Sequence, residues 1–327
     1  MNLPLLALLT AAKSSILVGG QAVIEGVMMR VPGAYATAVR RKDESITVDK
    51  HEYALMKDRF TWAAWPVIRG VVALFESLKI GMGTLQWSAD IAIRDEEEHP
   101  EEYEENKVAT FLTTAVAILI GIGLFLIAPL WITTKLLNIE KQMFAFNLVA
   151  GGFRIFFFLV YLFLISRIQD VKRLFEYHGA EHKVVFTFES GLELNWENTR
   201  NFSTFHPRCG TSFLFIVLLA AILIYAILDT FTLAIFGMIN LPIRIALHLL
   251  FLPLVAGTSY EVIKVTSGNM HRPLLRAVAQ PGLWLQRITT SEPDEGQVEV
   301  AITALKDAFG DAYEQYAGKE YIAEAVA

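Results

Sequence analysis

The chain has 327 residues, a formal net charge of −6 and a single cysteine. Hydrophobic residues make up 54% of it, against ~45–50% for soluble proteins, and the mean hydropathy is +0.42. This composition favours a membrane protein, excludes an intramolecular disulfide and, without a basic patch carrying interleaved aromatic side chains, predicts no nucleic-acid partner.

Residues 1–61 predict a cytoplasmic, glycine-rich β-hairpin region. The apolar run at 3–12 is too short to span a bilayer, and we interpret it as a disposable or interfacial start. The glycines at 19–30 do not form a phosphate-binding loop, because no Gly-Lys-Ser/Thr follows them. Gly19 and Gly20 are attributed to close backbone packing. Residues 35–41 and 46–49 flank a turn and predict a hairpin.

Residues 62–107 predict an interfacial helix followed by an acidic linker. Three tryptophans in this stretch suit a membrane–water boundary, whereas three charged side chains are too many for a membrane span. These residues are Trp62, Trp65, Trp87, Arg69, Glu76 and Lys79. We expect an interfacial or re-entrant helix broken near Gly81 and Gly83, with a fifth span as the alternative. The acidic run at 95–105 is expected to be a solvated linker.

Four later segments are apolar enough to cross a membrane. The first carries no charge and exceeds the ~20 residues that a span needs. The segments are 108–134, 144–166, 210–228 and 241–260. We therefore expect an α-helical integral membrane protein whose four transmembrane helices form two hairpins, at 108–166 and 211–263, beside a small cytoplasmic α+β portion.

Ionisable side chains inside these segments need partners, because a charge within a bilayer is costly. Asp229 and Arg244 lie near the external helix ends, where we expect them to snorkel to water. Arg154 lies well inside its segment, and Asp229 is its best partner by sequence. A polar pathway through the spans would favour a small transporter, which would require a homo-oligomer because four spans are few.

The connection at 167–210 carries a metal-ligand pattern. Three of the seven histidines and the only cysteine fall within it. His178 and His182 face the same way on a helix, one turn apart. With His206 and Cys209 they offer four nitrogen and sulfur ligands, a set that suits zinc. Four protein ligands would make a closed structural site, whereas three would leave a position for water.

Glu181 and Arg208 are the candidate catalytic residues. Glu181 completes a His-x-x-Glu-His string, the order in which a glutamate serves as general base beside a metal-bound water. Arg208, beside Cys209, is expected to stabilise an oxyanion or bind a phosphate, with a lipid headgroup contact as the alternative. Gly179 weakens the helix by ~1 kcal/mol relative to alanine and fits a close approach to a metal or substrate. Glu189, Glu193 and Glu197 are alternative acidic ligands, but we expect them to lie in solvent.

Residues 264–327 predict a cytoplasmic tail with an amphipathic helix. Ser291 is the expected N-cap. Four apolar residues follow at helical spacing, which indicates that the helix packs on the cytoplasmic portion rather than on the bilayer. They are Val298, Ile302, Leu305 and Phe309.

The distribution of basic residues predicts the topology. Lysine and arginine number 12 in residues 1–107, 6 in 167–210 and 6 in 264–327, but only 2 and 0 in the connectors 135–147 and 230–241. The positive-inside rule therefore places both termini and the 167–210 connection in the cytoplasm.

Four strings resemble the YqhQ-like family of uncharacterised bacterial membrane proteins. They are the residues at 19–30, 178–183, 206–213 and 281–286. The family is described as a predicted metal-dependent enzyme, so the resemblance implies a bacterial inner-membrane location and a metal role for His178, His182, His206 and Cys209. It supplies neither a substrate nor a reaction.

Three functions are therefore consistent with the sequence. The first is a zinc-dependent hydrolase acting at the cytoplasmic membrane surface on a peptide or a lipid-linked substrate. The second is a membrane scaffold or assembly factor with a structural zinc, and the third is a small transporter that uses Arg154 and Asp229. All three predict contact with membrane lipids.

Overall fold

The computed structural model describes residues 14–96, 107–137, 139, 142–267, 269 and 272–323. The apolar start at 3–12 and most of the acidic run lie outside these residues. The described chain is mostly helical, with long apolar helices and one small antiparallel sheet. The expected fold class is confirmed at this level.

The N-terminal region forms the sheet. After a short strand β1 (Ser14–Ile16), four strands pair antiparallel in the order β2-β3-β4-β5. They are β2 (Gly19–Val23), β3 (Gly26–Val31), β4 (Ala34–Arg40) and β5 (Ile46–Glu52). The hairpin expected at 35–41 and 46–49 is present as β4 and β5, with Arg40 opposite Ile46.

The expected interfacial helix is unbroken. After the short helix α1 (Met56–Arg59) and a 3-10 turn (Thr61–Ala64), helix α2 runs without interruption from Ile68 to Glu96. The break expected near Gly81 and Gly83 is therefore wrong. Gly81 allows α2 to pack closely against β2, because a Cβ at this position would lie 2.4 Å from Oε1 of Gln21.

The first two candidate spans form a helical hairpin. Helix α3 (Lys107–Ile122) continues through a π-helical turn (Gly123–Ile127) into α4 (Ala128–Leu137). Helix α5 (Met143–Ile165) packs against α4. By length and composition, the continuous helix Val108–Lys135 and α5 are each able to cross a membrane.

The connection at 167–210 is built around one long helix rather than an extended loop. Helix α6 (Gln169–Glu189) carries both candidate histidines, and the short helix α7 (Trp196–Thr199) follows it. Eleven residues of α6 are buried. The helix is therefore part of the folded core, and the positions of its side chains are fixed by packing.

The second pair of candidate spans contains a bend. Helix α8 (Gly210–Phe236) is a third span by length and composition. The expected fourth span is two helices, α9 (Leu241–Leu250) and α10 (Leu252–Ser267), inclined at 48°. Pro253 accounts for the break, because it lacks the N–H that would bond to the carbonyl of Leu249. The described residues thus contain three candidate spans, or four if the bent pair is one span.

The C-terminal region is not a tail. It contains α11 (Pro273–Thr289), α12 (Glu295–Phe309), the short helix α13 (Tyr313–Tyr316) and β6 (Tyr321–Ala323), which pairs in parallel with β1. The expected N-cap Ser291 is wrong. Asp294 caps α12 by accepting a hydrogen bond from Gln297 N at 2.8 Å, and the side chain of Gln297 bonds back to Asp294 N. This reciprocal pair is a capping box.

Helices cover both faces of the sheet. Helices α6 and α12 pack on one face, where Val27, Met29 and Ala36 point into the main core with Val298 and Leu305. Helix α2 covers the other face with a second, smaller cluster. The alternation of strand side chains between two cores explains why every residue of β3 is buried.

Asp229 and Arg244, two of the charged residues inside the candidate spans, pair with each other. The side chains of Asp229 and Arg244 are 0% and 1% exposed, and Arg244 Nε lies 2.9 Å from Asp229 Oδ2. The expected snorkelling is therefore wrong. The hydrogen bond from Arg154 Nη2 runs to His248 Nδ1 at 3.3 Å, not to Asp229. His248 Nε2 lies 3.1 Å from Asp229 Oδ1, so the histidine stands between the expected partners.

Candidate metal centre

Three of the four expected ligands converge at one point. His178 and His182 lie on α6, and Cys209 is the N-cap of α8. One nitrogen of each histidine and the Cys209 sulfur all lie within 4.8 Å of one another, and His178 Nε2 is 3.1 Å from Cys209 Sγ. We call these residues the ligand triad. They are able to hold one metal ion.

Backbone carbonyls fix the tautomers of both triad histidines. His178 Nδ1 lies 2.7 Å from the carbonyl oxygen of Thr289, and His182 Nδ1 bonds to the carbonyl oxygen of Thr204. A carbonyl oxygen only accepts, so each Nδ1 must carry the hydrogen. Each Nε2 is then left with its lone pair for a metal, which is the arrangement that oriented metal ligands require.

Gly179 allows the chain to cross α6 between the two histidines. A Cβ at this position would lie 2.0 Å from the carbonyl oxygen of Ser291, whose own N–H donates to the carbonyl of Phe175 at 2.9 Å. The close approach expected at Gly179 is therefore made by the protein's own backbone, not by a metal or substrate. This crossing brings the Thr289 carbonyl to His178.

His206 lies beside the ligand triad but outside it. Its Nε2 is 3.8 Å from Glu189 Oε2, and its Nδ1 accepts the N–H of Arg208 at 3.4 Å. Its ring contacts the rings of His182 and Phe186. Burial lowers the pKa of His206 to about 4, which keeps the imidazole neutral near pH 7. In this arrangement His206 packs against the centre instead of completing it.

Arg208 and Glu189 form a buried ion pair next to His206. The two side chains are 1% and 8% exposed. Glu189 was expected in solvent, yet it is the buried partner of Arg208, and the guanidinium does not project to a membrane surface. The signal for Glu189 was available in the sequence, because it lies seven residues after His182 on the same face of α6. Replacing only one partner of such a buried ion pair is strongly destabilising, because the other charge is then left buried and uncompensated.

Glu181 lies beside the Nε2 atom of His182. Its Oε2 lies 3.4 Å from His182 Nε2. Glu181 is nearly fully buried. Burial raises the pKa of its carboxyl to about 7, and a hydrogen bond from the backbone N–H of Gly20 acts in the opposite direction. The close packing expected at Gly20 is present, because a Cβ there would lie 2.9 Å from Glu181 Cγ.

Sequence reasoning missed Gln286, which holds the segment leading to Cys209. Its Oε1 accepts the N–H of His206 at 2.7 Å, and its Nε2 donates to the His206 carbonyl at 2.8 Å and to Ser212 Oγ at 3.2 Å. Gly282, one turn earlier on α11, allows contact with Ser212. Helix α11 thus fixes both ends of the segment 206–212 that presents the cysteine.

The site lies within a region that matches a known family model. The model is described as "Protein of unknown function (DUF1385)" and matches residues 65–311. The chain belongs to this family. It is also similar to the "Uncharacterized protein YqhQ" of Bacillus subtilis (strain 168), with 33% identity over 300 residues that cover 88% of this chain and 91% of that protein. The resemblance to YqhQ-like proteins is confirmed, and no solved structure matches.

Replacing Gln286 by leucine tests the support of the ligand triad. The change keeps the side-chain volume but leaves the buried N–H of His206 without its partner, at a cost of about 1–3 kcal/mol. It also removes one of the two donors to the His206 carbonyl, which keeps the Cys209 N–H at 3.3 Å. We expect a clear fall in the melting temperature of the detergent-purified protein, measured by differential scanning fluorimetry. Gln280→Leu, on the same helix but only half-buried, is the control and should melt near the wild-type temperature. Equal melting of both variants would contradict the assignment.

Proposed function

We propose that this member of the DUF1385 family binds one zinc ion through His178, His182 and Cys209 and acts as a metal-dependent hydrolase at the cytoplasmic surface of the bacterial inner membrane. The convergence of the three ligand atoms within 4.8 Å is the observation that carries the proposal. The carbonyl partners of the two Nδ1 atoms support it, since they turn both Nε2 atoms toward the cysteine.

The donor set favours zinc with an open position. Two imidazoles and one thiolate suit zinc better than magnesium or calcium, which prefer oxygen ligands. Three protein ligands leave the fourth tetrahedral position for water or substrate, as in catalytic zinc sites. The ion, when bound, supplies a Lewis acid that polarises a carbonyl and activates water. His206 is excluded from the ligand set in this proposal because its nitrogens face Glu189 and Arg208.

Glu181 is the residue proposed to handle the proton. Its carboxylate is buried and lies 3.4 Å from the nitrogen of His182 that would face the metal. The Gly20 N–H holds the carboxylate in place. At this position Glu181 would accept a proton from a water molecule that lies beside the triad, which is the action of a general base. Arg208 contributes by neutralising Glu189 rather than by contacting a reacting oxyanion.

A structural zinc is the second candidate. The triad joins α6 of the cytoplasmic portion to the N-cap residue of α8. An ion held there would clamp the cytoplasmic portion to a candidate span, as expected of a scaffold or assembly factor. This reading needs no catalytic glutamate, and the behaviour of Glu181 therefore separates the two candidates.

The topology proposed with this function places both termini and α6 in the cytoplasm. The excess of lysine and arginine in the regions flanking the candidate spans supports it. The triad would then lie at the cytoplasmic boundary of the bilayer, because Cys209 immediately precedes the apolar helix α8. A peptide or lipid-linked substrate would be accessible there.

We expect near-stoichiometric zinc in the protein purified in detergent. Replacing both His178 and His182 by alanine should lower the zinc content at least tenfold, because two of three ligands are lost. Inductively coupled plasma mass spectrometry on the same batches checks this. His51→Ala, at an exposed position on β5, is the matched control and should retain the metal. Full zinc retention in the double variant would exclude the triad as the ligand set.

Glu181→Gln and Cys209→Ala distinguish catalysis from structure. For a hydrolase, Glu181→Gln should keep zinc and folding but lose ~10²–10⁴ in rate, and so fail to complement a deletion strain. For a structural ion, Glu181→Gln should complement, whereas Cys209→Ala should lose metal-linked folding energy and melt early. Glu193→Gln, exposed beyond α6, is the control. A functional Glu181→Gln protein beside an unfolded Cys209→Ala protein rules out the hydrolase.

Cysteine labelling tests the topology. In a Cys209→Ser background, a cysteine at Gln142 should react with a membrane-impermeant maleimide in intact spheroplasts. A cysteine at Glu193 should react only after permeabilisation. The reverse pattern would mean that the triad faces the outside, and the proposed orientation would then be wrong.

A further inference from the structure

A cluster of polar side chains lies buried among α5, α8 and α9, far from the ligand triad in sequence. All members are buried, and three of them, two arginines and one aspartate, are ionised near pH 7. The cluster consists of Asn147, Arg154, Tyr225, Asp229, Arg244 and His248. If the long apolar helices cross a membrane as proposed above, this intramembrane cluster sits inside the bilayer, where each charge needs compensation.

The direction of each hydrogen bond in the cluster follows from the chemistry of arginine. A guanidinium only donates, so His248 Nδ1 accepts from Arg154 at 3.3 Å. His248 Nε2 must then carry the hydrogen, which it donates to Asp229 Oδ1 at 3.1 Å. His248 is therefore neutral in this arrangement. Both of its nitrogens are occupied.

Asp229 is fully engaged as an anion. Besides the bond from His248, its Oδ2 accepts from Asn147 Nδ2 at 2.7 Å and lies 2.9 Å from Arg244 Nε. The guanidinium of Arg244 also lies over the ring of Phe146, at 3.6 Å. The charges of Asp229 and Arg244 thus compensate each other directly, and the side chain of Arg154 does not touch this pair except through neutral His248.

The cluster therefore carries one positive charge in excess. Helices α5, α8 and α9 contain a single acidic residue, Asp229, against the two arginines Arg154 and Arg244. The acidic residue of α10, Glu261, pairs with Arg69 on α2 at 2.7 Å. Arginine does not lose its proton in proteins, so the excess charge cannot be removed by deprotonation.

The excess charge lies at Arg154. Its Nη1 is buried and has no hydrogen-bond partner among the described residues, while its guanidinium faces the ring of Tyr225 at 5.3 Å. Arg154 is at the middle of α5, which runs from Met143 to Ile165. With 1.5 Å per residue, it is about 16 Å from either end of the helix, too deep for a lipid headgroup phosphate to reach.

We propose that Arg154 binds a small monovalent anion of the halide class within the helix bundle. One excess charge calls for one negative charge, and the depth and burial of the site exclude a large or lipid-borne ligand. The bend between α9 and α10 begins three residues after His248. Irregular backbone at membrane depth occurs where it is enclosed by protein or lines a polar cavity, so this bend is the entry point that the proposal assigns to the anion.

Chloride is the probe that tests this assignment. The full-length protein in detergent is melted in chloride and in gluconate at constant ionic strength and pH. Wild type should show a saturable rise in Tm of about 2–8 °C with chloride, and one 36Cl⁻ should bind per chain in equilibrium dialysis. Arg154→Met should lose both responses. Its Tm in gluconate should be no lower than that of wild type, because the excess charge is gone.

Arg167→Met is the matched control, since Arg167 is exposed just beyond the end of α5, and it should keep the full chloride response. An equal chloride response in Arg154→Met, or wild type without saturable 36Cl⁻ binding, overturns the proposal. The binding measurement on wild type decides the matter even if the Arg154 variant does not fold. Zinc content measured in the same samples separates this result from the fate of the hydrolase proposal, because the triad shares no residue with the cluster.

Discussion

The hydrogen bonds of Gln286 are the interaction on which the rest of the candidate centre depends. One side chain on α11 pairs with the N–H and the C=O of His206 and with the hydroxyl of Ser212. Cys209 lies between these two anchored residues, and Thr289, whose carbonyl orients His178, lies one turn further along α11. A single helix therefore sets both the position of the sulfur and the tautomer of one imidazole. Without α11, the histidine pair on α6 would have no third ligand held against it.

The histidines of the ligand triad and His248 differ in whether a ring nitrogen is left free to bind a metal. In the triad, each Nδ1 is used by a backbone carbonyl and each Nε2 keeps a lone pair that points toward the other ligands. In the helix bundle, His248 accepts at Nδ1 and donates at Nε2, so neither nitrogen is free for a metal. The hydrogen-bond partners of a histidine, rather than its presence, therefore decide its role. The triad histidines are suited to bind a metal, whereas His248 links Arg154 to Asp229 across the helix bundle.

Local patterns in the sequence predicted local features well. The apolar runs located the long helices, the turn at 42–45 located the β4–β5 hairpin, and the i,i+4 spacing placed His178 and His182 on one face of α6. Features that depend on distant partners were not accessible in this way. The exclusion of His206 from the triad depends on Glu189 and Arg208 meeting behind it. The pairing of Asp229 with Arg244 depends on how α8 and α9 cross. Helix α11 continues through Pro281 and packs against α8.

The capping of α8 by Cys209 has a mechanical consequence. The helix has 27 residues and is about 40 Å long, so the sulfur sits at the tip of a rigid rod whose other end is far from the histidines. A change of about 10° in the inclination of that rod, pivoting near its middle, would displace the tip by about 3–4 Å. The three ligand atoms lie within 4.8 Å of one another, so such a displacement is enough to take them apart. Under the proposed membrane location and metal binding, the coordination geometry would depend on hydrophobic thickness, since helix inclination is the usual way in which a bundle adapts to a thinner or thicker lipid layer.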